Sequence, residues 1–326
     1  EEGIHMAVEE INQKGAISIE LFVEDSKGAP SDAMNVTKRL IQKKAAVIIG
    51  PMTSNEAKAA GPIMQNAKIP SLEISVTAEG ITEIGDYIFR NSVPESMNIP
   101  QTAKKTHRLL GYETAAILYA HDNEQHVTAQ KYFRKTLEEE GVKIVDVETF
   151  GSKDSEYSAQ LTNIENAKPD VVIVCSYYQE GARILKKMRE MGMNQPVLGD
   201  NGFVSPELGK MAGAAADNVY VSSMWSAARD TAATKTFAEN YTKKYGHAPD
   251  QFAAAAYDGV YMAMDAVQRA GSVTDTRKIR DAMAEMKGFN GVCGTFSFDA
   301  KRDPVVDLVL LKMEDGVFLA VGKQSS

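Results

Sequence analysis

Two hydrophobic periods alternate along this chain. A helical period over residues 4–11 predicts a first helix, and alternating apolar positions at Ile19, Leu21 and Val23 predict a strand after it. Helical and strand periods then keep alternating, which is typical of parallel sheets with right-handed crossovers. The other elements predicted in the first 90 residues are strands at 46–49, 70–74 and 87–89, and helices over 33–41 and 54–66, the latter with Ser54 as N-cap.

A second alternating series begins near residue 98, and it gives way to a helical stretch and then to antiparallel strands. Its strands are predicted at 115–120, 143–150, 170–176, 196–199 and 218–223, separated by helices over 103–110, 125–140, 158–166, 181–191 and 205–211. Helices over 231–245, 251–270 and 275–286 follow, then strands at 292–299, 305–313 and 317–321 with a hairpin turn at Asp315-Gly316. The fold class predicted is α/β.

The length and the net charge of the chain limit the class of protein that it can be. At 326 residues the chain is long enough for two lobes, and no apolar run approaches the ~18 residues of a membrane span. A formal charge of -8 argues against a nucleic-acid surface, which is normally basic. Cys175 and Cys293 lie in apolar strand-like segments, which favours buried thiols over a disulfide.

Sequence signatures of catalysis and metal binding are missing. There is no HExxH, CxxC, GxSxG, Walker A or GxGxxG pattern. His121, Asp122, Glu124 and His126 crowd one segment after a strand, where a solvated loop is favoured over a cation site. Nothing pairs a nucleophile with a base, so an enzyme is disfavoured.

The segment AAVIIGPMTS, residues 45–54, carries the clearest chemical signal. A buried strand and a Gly-Pro turn precede Thr53 and Ser54, where a helix begins. Unpaired amides and the positive dipole at a helix N-terminus favour an anion, and the two hydroxyls add donors. This arrangement predicts a carboxylate site.

Other predicted strands also end in short polar groups. Ser75 and Thr77 follow one strand, and the stretches 121–125, 176–179 and 200–201 follow three others. Doubly wound sheets place ligands at the carboxyl ends of their strands. The set therefore predicts a ligand cleft.

These residues also carry a resemblance to a known family. The chain resembles type I periplasmic solute-binding proteins of the leucine/isoleucine/valine class, which serve ABC importers. The matching segments are GIHMAVEEINQKG, IELFVEDSKGAPSDAMNVTKRLI, VIIGPMTS, IPSLEIS, YIFRNS, PDVVIVCSYYQEGARILKKMREMG, GDNGFVSPEL, YGHAPDQFAAAAYDGVYMAMDAV and FNGVCGTFSFD. Their order and spacing run nearly end to end.

The resemblance implies two doubly wound, Rossmann-like lobes joined by three crossing strands, with the ligand cleft between them. Lobe 1 is then expected at residues 1–95 plus 226–303 and lobe 2 at 96–225 plus 304–326. The family begins with a strand that has no counterpart here, so we expect either an N-terminal segment outside this sequence or another filler of its place in the sheet.

The resemblance also assigns ligand contacts. In lobe 1 these are Thr53 and Ser54 in the GPxxS turn, which holds the ligand carboxylate, and Ser75 and Thr77 in the segment after IPSLEIS. Gln125 stands where lobe 2 of the family places an aromatic, and Tyr177 corresponds to another contact.

Three further positions complete the expected site. Asn201 stands at the family's acidic position for the ligand ammonium, and Asp200 is beside it. The ligand is therefore either a carboxylate without an α-amino group, such as an aromatic or keto acid, or an amino acid for which Asp200 substitutes. Trp225 is expected either to stack on the ligand or to serve as a core or hinge residue.

The function expected is the substrate-binding component of an ABC importer, which captures an amino acid or related small carboxylate by hinge closure without catalysis, cofactor or metal. Its partner would be a membrane permease. We expect a monomer without nucleic acid, periplasmic or extracellular, with a lipid anchor left open. A ligand-sensing receptor domain of the same fold is the alternative, and a two-lobed α/β enzyme is the weaker one.

Overall fold

A computed structural model describes residues 1–15 and 17–322 of the protein. The helices are α1 (Glu2–Lys14), α2 (Pro30–Gln42), α3 (Ser54–Ala67), α4 (Glu95–Leu110), α5 (Glu124–Glu139), α6 (Ser158–Ala167), α7 (Tyr178–Glu190), α8 (Pro206–Ala212), α9 (Ala232–Tyr245), α10 (Gln251–Ala270) and α11 (Thr276–Ala284). The strands are β1 (Ile48–Ile49), β2 (Ser71–Glu73), β3 (Ile88–Arg90), β4 (Thr114–Ala120), β5 (Lys143–Phe150), β6 (Val171–Cys175), β7 (Val197–Gly199), β8 (Val219–Ser223), β9 (Phe289–Gly291), β10 (Gly294–Phe298), β11 (Pro304–Val305), β12 (Val309–Glu314) and β13 (Val317–Ala320).

The chain divides into two compact units, and it passes three times from one to the other. Lobe 1 comprises Glu1–Pro94 and Met224–Asp307, and lobe 2 comprises Glu95–Ser223 and the chain from Leu308 onward. Residues 323–326, at the end of the predicted second lobe, lie outside the described residues.

The first sheet of lobe 1 is parallel and has the order β1-β2-β3. The strand predicted around Ile19, Leu21 and Val23 is wrong, because these residues are not assigned to any strand. The backbone N–H and C=O of Ile19 bond instead to the Asn12 side chain, at 2.7 and 3.0 Å. Alternation of apolar residues suits a pleated face, but a strand also needs a neighbour for its backbone groups.

Lobe 2 contains a seven-stranded sheet of order β13-β12-β8-β7-β6-β4-β5. Its first five strands in the chain are parallel, and β12 and β13 add an antiparallel edge. The hairpin predicted at Asp315-Gly316 is confirmed, with φ values of 49° and 77°. The five residues of β6 are fully buried, as expected for a strand covered on both faces.

Helix α4 begins at Glu95, eight residues before the predicted start at 103. Pro100 lies inside it, and a proline inside a helical period normally indicates a boundary. The earlier start brings the fully buried Glu95 into lobe 2 as a helix residue.

Candidate functional site

The start of α3 in lobe 1 is built around Thr53, which is the N-cap in place of the predicted Ser54. Thr53 Oγ1 accepts a hydrogen bond from Glu56 N–H and donates one to Glu56 Oε2 at 2.7 Å. The same carboxylate oxygen accepts from the backbone N–H of Thr53, which completes a capping box. The Thr53 hydroxyl thus already has partners within the helix start.

Ser54 is fully buried, and it links α3 to the segment after β2. Its Oγ accepts a hydrogen bond from the Ala78 backbone N–H at 3.2 Å. Accepting this bond leaves the Ser54 O–H as a donor. Ser54 is therefore the better placed of the two hydroxyls to donate to a ligand.

The segment that carries Ser75 and Thr77 is pinned by Arg90, a residue that sequence reasoning missed. The Arg90 guanidinium is buried and donates to the carbonyl oxygens of Val76 and Ala78, at 3.2 and 2.7 Å. Ser75 has a left-handed φ of 68°, and Thr77 is buried. The bond from the Ala78 N–H to Ser54 thus joins the segment that carries Ser75 and Thr77, after β2, to the start of α3, after β1.

Arg90 is held in turn by Asp303, whose Oδ1 accepts from Arg90 Nε at 2.6 Å and from Thr82 Oγ1 at 3.2 Å. Only the segment YIFRNS could have indicated this cation in the sequence, and nothing there names Asp303. Glu73 lies opposite Arg90 in the β2–β3 register. Burial raises the pKa of Glu73 well above its ordinary value, despite a hydrogen bond from Ser71.

In lobe 2 the predicted residues gather at the ends of β4, β6 and β7. Asp200 caps a short 3₁₀ helix over Asn201–Phe203, and its Oδ1 accepts from Gly202 N–H at 3.0 Å. The Asn201 N–H donates to Glu95 Oε1 at 3.4 Å. Asp200, Asn201 and Glu95 are all buried.

His126 is the second residue that sequence reasoning misplaced. It lies in the first turn of α5 and is 1 % exposed, so the solvated loop predicted for it is wrong. Its Nδ1 lies 2.6 Å from Asp200 Oδ2, and its ring packs edge to face on Tyr177 with centroids 4.7 Å apart. The spacing of 74 residues between His126 and Asp200 gives no local signal for this pair.

Gln125 precedes His126 and is also buried. Asn123 caps α5 by accepting from the backbone N–H groups of both residues. Within the part of the chain that the structure describes, Gln125 Nε2 and His126 Nε2 are buried without a hydrogen-bond partner. Buried polar atoms in native proteins normally have partners, so such atoms point to a binding role.

Trp225 belongs to lobe 1, where it is buried and packs edge to face on Phe237 at 5.5 Å. It follows directly after one of the three passages between the units. The ligand-stacking role proposed for it stays a prediction.

Both cysteines are free and buried, which confirms the prediction of buried thiols over a disulfide. Burial, together with the nearby Asp200 and Glu95 carboxylates, raises the pKa of the Cys175 thiol. No group of three or more His, Cys, Asp or Glu residues suited to a metal occurs among residues 1–15 and 17–322. Within the same ranges, no helix combines the length and apolar character needed to cross a bilayer.

Two α/β units with polar side chains at the ends of their strands agree with the type I fold of solute-binding proteins. The chain belongs to the periplasmic binding protein family, whose sequence model matches residues 1–316. The family consists of substrate-binding proteins and not enzymes, so the predicted fold and non-enzymatic class are confirmed.

Relatives and solved structures support this assignment. A "Leucine-, isoleucine-, valine-, threonine-, and alanine-binding protein" from Pseudomonas aeruginosa is 24% identical over 306 residues, covering 92% of this chain and 81% of that protein. The leucine binding protein LivK from Thermotoga maritima matches with a TM-score of 0.94 and 27% identity, over 98% of this chain and 92% of that one. The branched-chain amino acid transporter substrate binding protein LivJ from Streptococcus pneumoniae, solved with isoleucine, matches with a TM-score of 0.92 and 31% identity over the same shares.

Proposed function

We propose that this protein is the substrate-binding component of an ABC importer and that it captures an amino acid or a related small carboxylate. The observation that carries the proposal is the start of α3. A buried serine with an available O–H donor stands at the positive end of a 14-residue helix. Relatives that bind leucine and isoleucine support the ligand class.

The lobe 1 groups suit a carboxylate for an electrostatic reason. The Ser54 hydroxyl at the start of α3 supplies a donor without a mobile charged side chain, and the Ala78 bond fixes this hydroxyl in place. Because this donor is preorganised, little rotamer entropy is lost when an anion binds. Ser75 and Thr77 are proposed as further contacts from the segment that Arg90 holds.

The proposed partner is the permease of the importer, with the protein acting as a monomer outside the cytoplasm. The family assignment and the transporter relatives support the permease and the compartment. The acidic net charge of -8 supports a role that does not involve nucleic acid.

Isothermal titration calorimetry with branched-chain and aromatic amino acids, their 2-oxo acids and benzoate tests the proposal. We expect at least one of these carboxylates to bind, and Ser54→Ala to weaken it by about tenfold or more, the worth of a hydrogen bond to a charged group. Ser205→Ala is the matched control, because Ser205 is a buried serine that also accepts a backbone N–H, at the start of α8. Absence of binding by every carboxylate would refute the function, and equal effects of the two variants would refute the site.

A further inference from the structure

His126 and Asp200 form a buried pair in lobe 2 that the predicted contacts do not explain. The side chains are 1% and 0% exposed, and their closest atoms, Nδ1 and Oδ2, are 2.6 Å apart. Two buried polar groups are costly unless they are paired, so this contact satisfies both.

Both oxygens of Asp200 accept hydrogen bonds from lobe 2 itself. Oδ1 accepts from Gly202 N–H, and Oδ2 accepts from His126 Nδ1–H. The carboxylate is therefore engaged with two protein donors, and the shorter of the two bonds is the one to the imidazole. Asp200 is therefore a positioning residue, which acts on a ligand through the imidazole of His126.

The imidazole is held from three sides. Tyr177 packs edge to face on the ring, and Asp200 bonds its Nδ1. A Cβ added at Gly202 would lie 3.1 Å from His126 Cε1, which shows how closely the turn after β7 approaches the ring. The ring therefore has one orientation, with Nε2 directed away from Asp200.

The tautomer follows from this geometry. A carboxylate only accepts, so Nδ1 carries a proton, and in the neutral ring Nε2 keeps a lone pair. Nε2 is buried and has no hydrogen-bond partner among the described residues. A buried acceptor in this state is complementary to a hydrogen-bond donor.

The charged groups near the His126 ring are carboxylates, whose negative charge suits a positively charged ligand group. Asp200 bonds the ring itself, and Glu95 accepts from the N–H of the adjacent residue, Asn201. Both carboxylates also raise the pKa of the Cys175 thiol, so the three groups lie in one cluster. Two carboxylates near the ring favour a positively charged ligand group over an oxygen acceptor.

Given the function proposed above, we propose that His126 is a specificity-determining residue whose Nε2 accepts a hydrogen bond from a donor group of the ligand. In an amino acid this donor is the α-ammonium. Asp200 positions the imidazole for this contact. The amide at Asn201 then does not prevent recognition of an α-amino group. The imidazole and the carboxylates behind it take over that role.

The test compares ligands that differ only in this group. Calorimetric affinities are measured for leucine and 4-methyl-2-oxopentanoate, and for phenylalanine and phenylpyruvate. In the pair that contains the tighter ligand, we expect the amino acid to bind at least about tenfold more tightly than its 2-oxo acid. Equal affinity, or preference for the 2-oxo acid, would overturn the inference. If none of the four binds while benzoate does, the inference fails and the proposed function stands.

Asp200→Asn is the decisive variant. Gly202 N–H is a fixed donor, so the amide oxygen must face it and the NH₂ group must face His126. Nδ1 then becomes the acceptor and Nε2 carries the proton, the wrong tautomer for an ammonium. We expect the preference for the amino acid to fall by about tenfold or to reverse, which a purely structural role of Asp200 would not produce.

His126→Gln is the second variant, and we expect it to bring the two affinities of a pair close to parity. His107→Gln is the matched control, because His107 pairs with Glu140 in the same lobe at 3.7 Å while remaining partly exposed. It should leave the preference unchanged. Circular dichroism establishes that each variant is folded. An undiminished preference in both folded site variants would contradict the proposal.

Discussion

At the residue scale, the important features of this protein are buried polar groups whose partners lie far away in the sequence. Arg90 and Asp303 are 213 residues apart and His126 and Asp200 are 74 apart, yet each pair is joined by a bond of 2.6 Å. Sequence patterns report local periodicity and cannot encode such pairings. Asp200 was predicted from its turn, whereas the imidazole through which it acts was not.

Asp258 on α10 provides a test of buried charge that is independent of the ligand. Its carboxylate accepts from the backbone N–H groups of Val292 and Cys293, yet burial raises its pKa to about 6. In the unfolded chain the value is about 3.9. The folded protein therefore binds the proton more tightly, so this group adds stability below about pH 4 and loses that contribution as the pH rises through 6.

Asp258→Asn should remove this pH dependence. We expect the free energy of unfolding of the natural protein, relative to that of Asp258→Asn, to fall by about 2 kcal/mol between pH 4.5 and pH 7.5. Urea unfolding at the two pH values measures the difference. A difference that stays constant, or that grows with pH, would contradict the raised pKa.

At the element scale, helix order and strand order were predictable because each element keeps one period over its whole length. The long helix α10 and the buried strand β6 follow the predicted ranges closely. The segment around Ile19, Leu21 and Val23 failed because pairing depends on a neighbouring strand. The N-cap of α3 shifted by one residue because adjacent Thr53 and Ser54 are both good caps, and the Glu56 side chain selects Thr53.

The contact between α1 and α10 depends on one glycine. A Cβ added at Gly3 would lie 2.1 Å from the Ala253 carbonyl oxygen. We expect Gly3→Ala to force the helices apart and to cost about 1–3 kcal/mol of unfolding free energy. Urea denaturation measures this loss.

Gly259→Ala is the matched control on α10. Its added Cβ would lie 3.5 Å or more from its nearest neighbours, an ordinary contact. Alanine also favours a helix interior by about 1 kcal/mol over glycine. This variant should be neutral or stabilising. If the Gly3→Ala protein were as stable as the Gly259→Ala protein, the close approach of α1 to α10 would not be needed.

The segment that carries Ser75 and Thr77 depends on the Arg90–Asp303 pair. Asp303→Ala leaves a buried guanidinium without its carboxylate, a change that costs about 3–5 kcal/mol. Asp265→Ala is the control, since its pair with Arg269 is well exposed and should contribute less than about 1 kcal/mol. Similar losses of unfolding free energy in the two variants would argue against the role of the buried pair.

At the scale of the whole molecule, the fold was predictable because many weak segments occur in the right order along nearly the entire chain. The family match over residues 1–316 confirms that interpretation. Ligand identity was not predictable, because it depends on the orientation of a few side chains such as His126. The order of the elements carries no information about those orientations.

Hinge closure of two lobes on a solute, predicted from the family resemblance, is open to a direct measurement. We expect small-angle X-ray scattering to show a smaller radius of gyration after a binding carboxylate is added. The same ligand concentration should change the Ser54→Ala protein less, because less ligand is bound. An unchanged radius at saturation of the natural protein would contradict closure.

If the start of α3 holds the carboxylate of the ligand, a crystal structure of the complex with the ligand that binds most tightly in calorimetry will show this contact. We expect a carboxylate oxygen within about 2.6–3.2 Å of Ser54 Oγ, at hydrogen-bond distance. A bound carboxylate that contacts neither Ser54 nor the first turn of α3 would contradict it.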